Sequence, residues 1–435
     1  TPSARVDYGK ARAAKLPLFE KAYQNFKQAE KPADFESFCE KNAFWLEDYT
    51  LYLALKEHFR AERMHEEGTE NFDAFVSECE GVELTEKQLQ DYYMGANWGS
   101  FPKTIKKRNP MVLKKWKKLL SESIEKETFL QYIFAKQWQA VKEYANEKGI
   151  SIIGDAPIFV AYDSADVWAN QKLFRLDSKG FPTCVTGVPP DYFSETGQLW
   201  GNPHYDWKQH EKTDFAWWIS RVEKTLQNVD ILRIDHFRGF EACWEVEFGA
   251  EDARGGKWVK APGEKFFALL KEKMGDDLPL IAEDLGIITP EVDALRDAFA
   301  FPGMRILQFA FDSEEESAYH PHQFDTSNCV CYTGTHDNNT TQGWYHAASE
   351  EAKDKVRYYM NTDGNCIHWD FIRTCLGTIA KYAIFPMQDV LGIDADGRMN
   401  TPGSDKGNWS WRCKKDAFSD DLAKALANIT NVYGR

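Results

Sequence analysis

The chain has 435 residues, 43% hydrophobic and 14% aromatic, so it can bury a sizeable core and is not a disordered segment. Its 53 Lys and Arg face 68 Asp and Glu, and the formal charge of −15 argues against nucleic acid as a partner, because phosphate binding needs a basic face. No apolar run approaches about 18 residues, so no membrane span is expected, and no signal peptide is visible in a chain that starts at Thr1.

Residues 1–148 read as mostly helical. Lys10 to Glu30, Trp45 to Arg60 and Ile124 to Lys148 carry apolar residues at helical spacing, and Pro32 and Asn109-Pro110 punctuate them. The basic run Lys103 to Lys118, with Val112, Leu113 and Trp116 interleaved, predicts one amphipathic helix with a solvated basic side. No catalytic motif is evident here.

From Ile150 the character changes. Six strand-like runs recur, at Ile150–Gly154, Val229–Asp235, Pro279–Glu283, Arg305–Asp312, Cys329–Thr335 and Tyr382–Gln388, each followed by loop and then helical sequence. Alternating strands and helices predict parallel strands with crossover helices, an α/β fold. In a (β/α)8 barrel the catalytic residues gather at the C-terminal strand ends, where Asp155, Asp235, Glu283, Asp337 and Asp389 fall. An open doubly wound sheet would also place ligands there, but no Gly-rich phosphate loop follows any of these strands. The expected organisation is a helical insertion over 1–148 and a barrel with its inserted loops over 149–435. Six strands are two short of closure.

Nine cysteines lie scattered without a paired framework, which fits reduced thiols in the cytoplasm or, alternatively, a plastid stroma. Cys329-x-Cys331 reads as part of a buried strand, since no second Cys/His pair accompanies it at zinc-ligand spacing.

Three acidic motifs carry the chemistry: Leu232-Arg-Ile-Asp235-His-Phe-Arg-Gly239, Ile281-Ala-Glu283-Asp-Leu-Gly286 and Gly334-Thr-His336-Asp337-Asn338. Retaining glycoside chemistry needs two carboxyl groups about 5–5.5 Å apart, one a nucleophile and one an acid that becomes a base. Strand alternation puts Arg233 on the face of Asp235, where a cation keeps a carboxylate ionised. Glu283 follows an apolar Leu-Ile-Ala run, where desolvation would raise its pKa and suit a proton donor. Asp337, between His336 and Asn338, could bond sugar hydroxyls and favour a distorted, oxocarbenium-like ring. The 15 Trp, 18 Tyr and 29 Phe exceed the usual needs of a core, and sugar clefts use such rings against the apolar face of a pyranose.

The chain resembles the 4-α-glucanotransferase family, also called amylomaltases or disproportionating enzymes. The resemblance runs through Gly154-Asp-Ala-Pro-Ile158, Asp163-Ser-Ala-Asp-Val-Trp-Ala-Asn170, Gly187-Val-Pro-Pro-Asp-Tyr-Phe-Ser194 and Gly197-Gln-Leu-Trp-Gly-Asn-Pro203. It continues through the acidic motifs and Phe301-Pro-Gly-Met304 to Arg398-Met-Asn400-Thr-Pro-Gly403 and Gly407-Asn-Trp-Ser-Trp-Arg412. It implies Asp235 as nucleophile, Glu283 as general acid/base and Asp337 as transition-state stabiliser, with Arg233 and His336 as their companions. Asp155 and Asn400 match positions that hold the donor glucose. Tyr192, Phe193 and Trp200 match a flexible loop that stacks on glucose rings and shields the intermediate from water. Position 339 is Asn where the family often has an acid. The resemblance also implies that the first two barrel strands precede the helical region and are absent from this chain. A barrel without them would expose unpaired edges, so they are expected to belong to the complete enzyme.

The implied activity is cofactor-free transfer of α-1,4-glucan segments between maltooligosaccharides, or glucans derived from starch or glycogen. A hydrolase of the same mechanism and a non-catalytic glucan-binding fragment are the alternatives. A metal-dependent hydrolase is disfavoured, because the spacings of the carboxylates and His336 match no metal pattern.

Overall fold

The computed structural model describes residues 5–66, 68–190, 194–312, 317–404 and 406–435. It divides into two compact units, Leu16–Pro279 and the pair of segments Thr1–Lys15 and Leu280–Arg435. Among the described residues no helix is long and apolar enough to cross a membrane.

The Leu16–Pro279 unit begins with helices. In Ala33–Met64 the buried side chains Phe35, Asn42, Leu46, Phe59 and Arg63 recur every one or two turns, and between Thr50 and Leu55 burial spreads to further faces through Leu51, Tyr52 and Ala54. Tyr23 and Phe26, near the end of Tyr8–Gln28, join Phe35 and two residues of Ser121–Glu147 in one aromatic cluster. Phe26 lies over Phe129 at 4.5 Å and Phe35 meets Tyr132 edge-on at 5.3 Å, geometries that the ring quadrupole favours. These are the expected helices, although the second starts much earlier than predicted, at Ala33.

The basic run departs from expectation. It forms two helices, Lys103–Lys106 and Pro110–Leu119, because the Asn109 side chain caps the second by accepting from Met111 N and Val112 N, and Pro110 occupies its first turn. Nor is its charge all solvated: Lys106 is buried and donates to the Gly99 carbonyl at 3.0 Å.

Strands β1 (Ile153–Pro157) and β4 (Ile231–Asp235) pair in parallel, with Asp155 opposite Arg233 and Pro157 opposite Asp235. The predicted Ile150–Gly154 run is thus shifted, and Asp155 lies within a strand rather than beyond its end. The shift has a visible anchor. Asp230 N donates to the Ile152 carbonyl at 2.8 Å, and Ile152 N donates back to the Asp230 carboxylate at 2.7 Å. Between and after these strands runs a four-stranded antiparallel sheet that the sequence reading did not find. It comprises β2 (Cys184–Val188), β3 (Gln198–Pro203), β5 (Ala242–Glu247) and β6 (Lys257–Lys260), in the order β3-β2-β5-β6. At Gly187 a Cβ would strike the Gln198 carbonyl, so only glycine lets β2 and β3 close.

In the second unit, β8 (Gly303–Ile306), β9 (Cys329–Tyr332) and β10 (Tyr382–Ile384) form a parallel sheet with β9 central. All four residues of β9 are buried, as a strand covered on both faces requires. Strand β7 (Leu280–Ala282) approaches β8 through Ala282 N, which donates to the Pro302 carbonyl at 2.9 Å. The predicted Arg305–Asp312 strand is shorter in fact: after Ile306 the chain bends into a 3-10 turn at Gln308–Ala310. Helices Thr341–Ala347, Glu350–Met360 and Ile367–Leu376 connect β9 to β10.

Candidate active site

The Leu16–Pro279 unit holds one group of candidate residues, organised by β4. Leu232 and Ile234 are buried on one side of that strand, so Arg233 and Asp235 share the other. Parallel register then delivers Asp155 beside them. Arg233 Nη1 donates to Asp155 Oδ1 at 2.8 Å, to Asp155 Oδ2 at 2.7 Å and to Asp235 Oδ1 at 3.0 Å. The Arg233 side chain is buried, whereas both carboxylates are only half-buried. A buried guanidinium that donates to two carboxylates holds both in place through charge-assisted hydrogen bonds.

The chain turns sharply after Asp235, since His236 adopts φ 53°. Burial, with the nearby Arg238 charge, pushes the His236 pKa down to about 3, so the imidazole is neutral at physiological pH. Trp200, on β3, meets the His236 ring edge-on at 4.8 Å, and Phe159 lies 6.2 Å from it. Trp200 is therefore placed on a strand beside the residue that follows Asp235, with part of its ring in solvent. Its predicted loop neighbours Tyr192 and Phe193 lie outside the described residues.

The second unit holds the other group. Glu283 follows β7 immediately, and its Oε1 accepts from Leu285 N at 2.9 Å. Its neighbour Asp284 is a different kind of acid. Asp284 is buried, accepts from Arg296 Nη1 at 2.6 Å and from Met304 N at 2.6 Å, and so fastens the end of β7 to β8. A Cβ on Gly303 would collide with this carboxylate, which explains the glycine.

Asp337 lies on the loop that leaves β9. Asn400 Nδ2 donates to Asp337 Oδ1 at 2.6 Å, Arg398 Nη2 to the Asp337 carbonyl at 2.8 Å, and Asn400 N to the His336 carbonyl at 3.0 Å. His336 Nε2 stands 3.4 Å from Asp337 Oδ2. Thus three predicted residues, His336, Asp337 and Asn400, come together. The loop is clamped from below by Asp389, whose carboxylate accepts from Thr333 Oγ1 at 2.6 Å, Thr341 Oγ1 at 2.7 Å and Thr341 N at 2.8 Å. Burial raises the Asp389 pKa despite these bonds. At 1% exposure it cannot meet a substrate, so this strand-end acid is an anchor and not part of the reacting set.

The sequence reading missed Asp284, Asp389 and Arg398 as organisers, and Trp409, whose indole lies 5.1 Å from His336 at 38°. The run Arg398-Met-Asn400 held a usable signal, because a basic residue two positions from a polar one can reach the same backbone from an extended chain. Among the described residues no group of three or more His, Cys, Asp or Glu is placed to hold a metal ion.

The 4-alpha-glucanotransferase family model matches residues 1–417. The chain is 45% identical over 436 residues to the 4-alpha-glucanotransferase of Synechocystis sp., covering 99% of this chain and 80% of that protein. It is 45% identical over 343 residues to the chloroplastic/amyloplastic 4-alpha-glucanotransferase of Solanum tuberosum, covering 78% of this chain and 59% of that one. Among solved structures it superposes on the amylomaltase of Streptococcus agalactiae in complex with acarbose, with TM-score 0.89 and 37% identity, over 100% of this chain and 81% of that one.

Proposed function

This chain belongs to the 4-alpha-glucanotransferase family, whose reaction is transglycosylation between α-1,4-glucans, and we propose how its own residues carry that reaction. Asp235 is the nucleophile. Its carboxylate attacks the anomeric carbon of a bound glucan while Glu283 protonates the departing glycosidic oxygen. The products are a glycosyl ester on Asp235 and a free sugar. Glu283, now a carboxylate, takes the proton from the 4-hydroxyl of an acceptor. The acceptor oxygen then displaces the ester and restores Asp235. Asp337 stabilises the positive charge that develops on the ring in both steps.

The observation that carries this reading is the Arg233 bridge to Asp155 and Asp235. A nucleophilic carboxylate must stay ionised, and a shared buried guanidinium supplies that bias. The resemblance assigns glucose binding to Asp155 and Arg233 and to His336 and Asn400, and the partly exposed Trp200 would pack against a sugar ring. The partners are maltooligosaccharides and glucans derived from starch or glycogen, in keeping with the acarbose bound to the Streptococcus agalactiae relative.

The strands favour a (β/α)8 barrel for 149–435 with a helical insertion over 1–148: every named strand lies between Ile153 and Ile384, and the pairs β1–β4 and β8–β9–β10 are parallel. Nine free cysteines support a reducing compartment, the cytoplasm or, as the name of the potato relative suggests, a plastid stroma. Incubation with maltotriose, with products resolved by length, tests the reading. A ladder of longer maltooligosaccharides plus glucose, absent with Asp235→Asn, is expected. An equally strong ladder from the variant would remove Asp235 from its role.

A further inference from the structure

Trp409 is a large apolar residue in a place that packing does not explain. It is 51% exposed, and its backbone holds φ 56°, a left-handed conformation that a bulky side chain adopts only under constraint. The constraints are visible. Trp409 N donates to the Met399 carbonyl at 2.7 Å, and the Tyr8 hydroxyl donates to the Trp409 carbonyl. On either side, Asn408 Nδ2 donates to the Ser404 carbonyl at 2.7 Å, and Ser410 Oγ to the Gly407 carbonyl at 2.7 Å. The turn is built to present an indole outward.

What it presents the indole to is also defined. The ring lies beside His336, and Met399, which fixes the Trp409 backbone, precedes the Asn400 that bonds Asp337. We propose that Trp409 is a sugar-stacking platform, binding a glucosyl unit next to the one held by His336 and Asp337 and so setting which glucan lengths the enzyme grips. The inference rests on the proposed role of Asp337. An indole face fits the C–H face of a pyranose, and stacking removes apolar surface from water on both partners. The bonds that fix the turn and the His336 ring beside it pre-position the indole, so less ordering remains to be done on binding.

The test uses Trp409→Asn, because Asn tolerates the left-handed backbone and removes the ring without straining the turn, together with Trp409→Phe. KM and kcat are measured for donors from maltotriose to maltoheptaose. In Trp409→Asn the KM for maltoheptaose should rise about tenfold more than that for maltotriose, with kcat little changed, and Trp409→Phe should recover most of the loss. A fall in kcat with every KM unchanged, or an equal rise in KM at every length, would overturn the platform and leave the indole a support for His336. Calorimetric binding of maltoheptaose to Asp235→Asn protein, with and without Trp409→Asn, gives a readout independent of turnover. Weaker binding in the double variant supports the platform even if the wild type makes no ladder, and equal binding refutes it.

Discussion

The end of β4 and the loop after β9 solve one problem in two ways. In each, a carboxylate is adjacent in sequence to a histidine, and each histidine carries a partly exposed tryptophan: Asp235, His236 and Trp200 in one unit, Asp337, His336 and Trp409 in the other. They differ in what holds the acid. Asp235 is held by a buried guanidinium, whereas the Asp337 carboxylate takes a neutral amide from Asn400 on one oxygen and has the His336 imidazole 3.4 Å from the other, and Arg398 spends its bond on the backbone carbonyl. A cation lowers the cost of ionisation but also neutralises part of the charge. An amide orients a carboxylate and leaves its charge whole. The first suits a nucleophile that must be ready as an anion, and the second suits a group that must face a cationic transition state.

The contrast can be broken at either end. Asp235→Asn removes the proposed nucleophile and should cost about 10^4-fold or more in kcat for transfer between maltotriose molecules. Glu283→Gln should cost about 10^2- to 10^4-fold with maltotriose. The same variant should form the ester far faster from α-glucosyl fluoride, whose leaving group needs no proton. Equal defects on both donors would exclude the acid role. Arg233→Lys keeps the charge but loses the fork that reaches Asp155 and Asp235 together, so kcat/KM should drop about a hundredfold. An Arg233→Lys enzyme as active as the wild type would show that the fork does not position Asp235.

The units should also part company in acid. His210 is buried among Tyr205, Trp207 and Trp217, and burial holds its pKa down to about 4. A histidine depressed in the folded state binds fewer protons than the unfolded chain between that value and its ordinary one. Its contribution is therefore complete above about pH 6.5 and is lost as pH falls, by about 2 kcal/mol at pH 5. Asp389 has the opposite sign: with a raised pKa, its buried charge costs stability at neutral pH, and that cost eases on acidification. Thermal melts of wild type and His210→Phe should converge between pH 7 and pH 5; parallel curves would refute the assignment. The smallest effect is expected for Asn400→Ala, about tenfold in kcat, because Arg398 still holds the Asp337 backbone.

How much of this was legible in the sequence follows from how far apart the partners lie. Arg233 and Asp235 are two positions apart on one strand, so alternation alone puts them on a common face, and the structure agrees. The helical stretches of the first part were legible from their apolar spacing for the same reason, and β9 from its unbroken apolar run. Partners distant in sequence were not legible from the pattern. Asn400 meets Asp337 across 63 positions, and Asp389 meets Thr333 across 56, contacts that only the tertiary fold creates. Adjacent acids mislead in a further way. Glu283 and Asp284 look alike in sequence, and only the burial of Asp284 against Arg296 separates an anchor from a reactive group. The antiparallel sheet escaped notice because β3 is largely exposed and glycine-bearing, with no apolar alternation to betray it.

The most direct test of the central claim is to trap the intermediate. Glu283→Gln protein is mixed with α-glucosyl fluoride, quenched in acid, digested and mapped by mass spectrometry. The account predicts a hexosyl adduct on Asp235, lost when Asp235 is also changed to Asn. An adduct on Asp155 or Asp337, or fluoride release with none on Asp235 at any time, would contradict it.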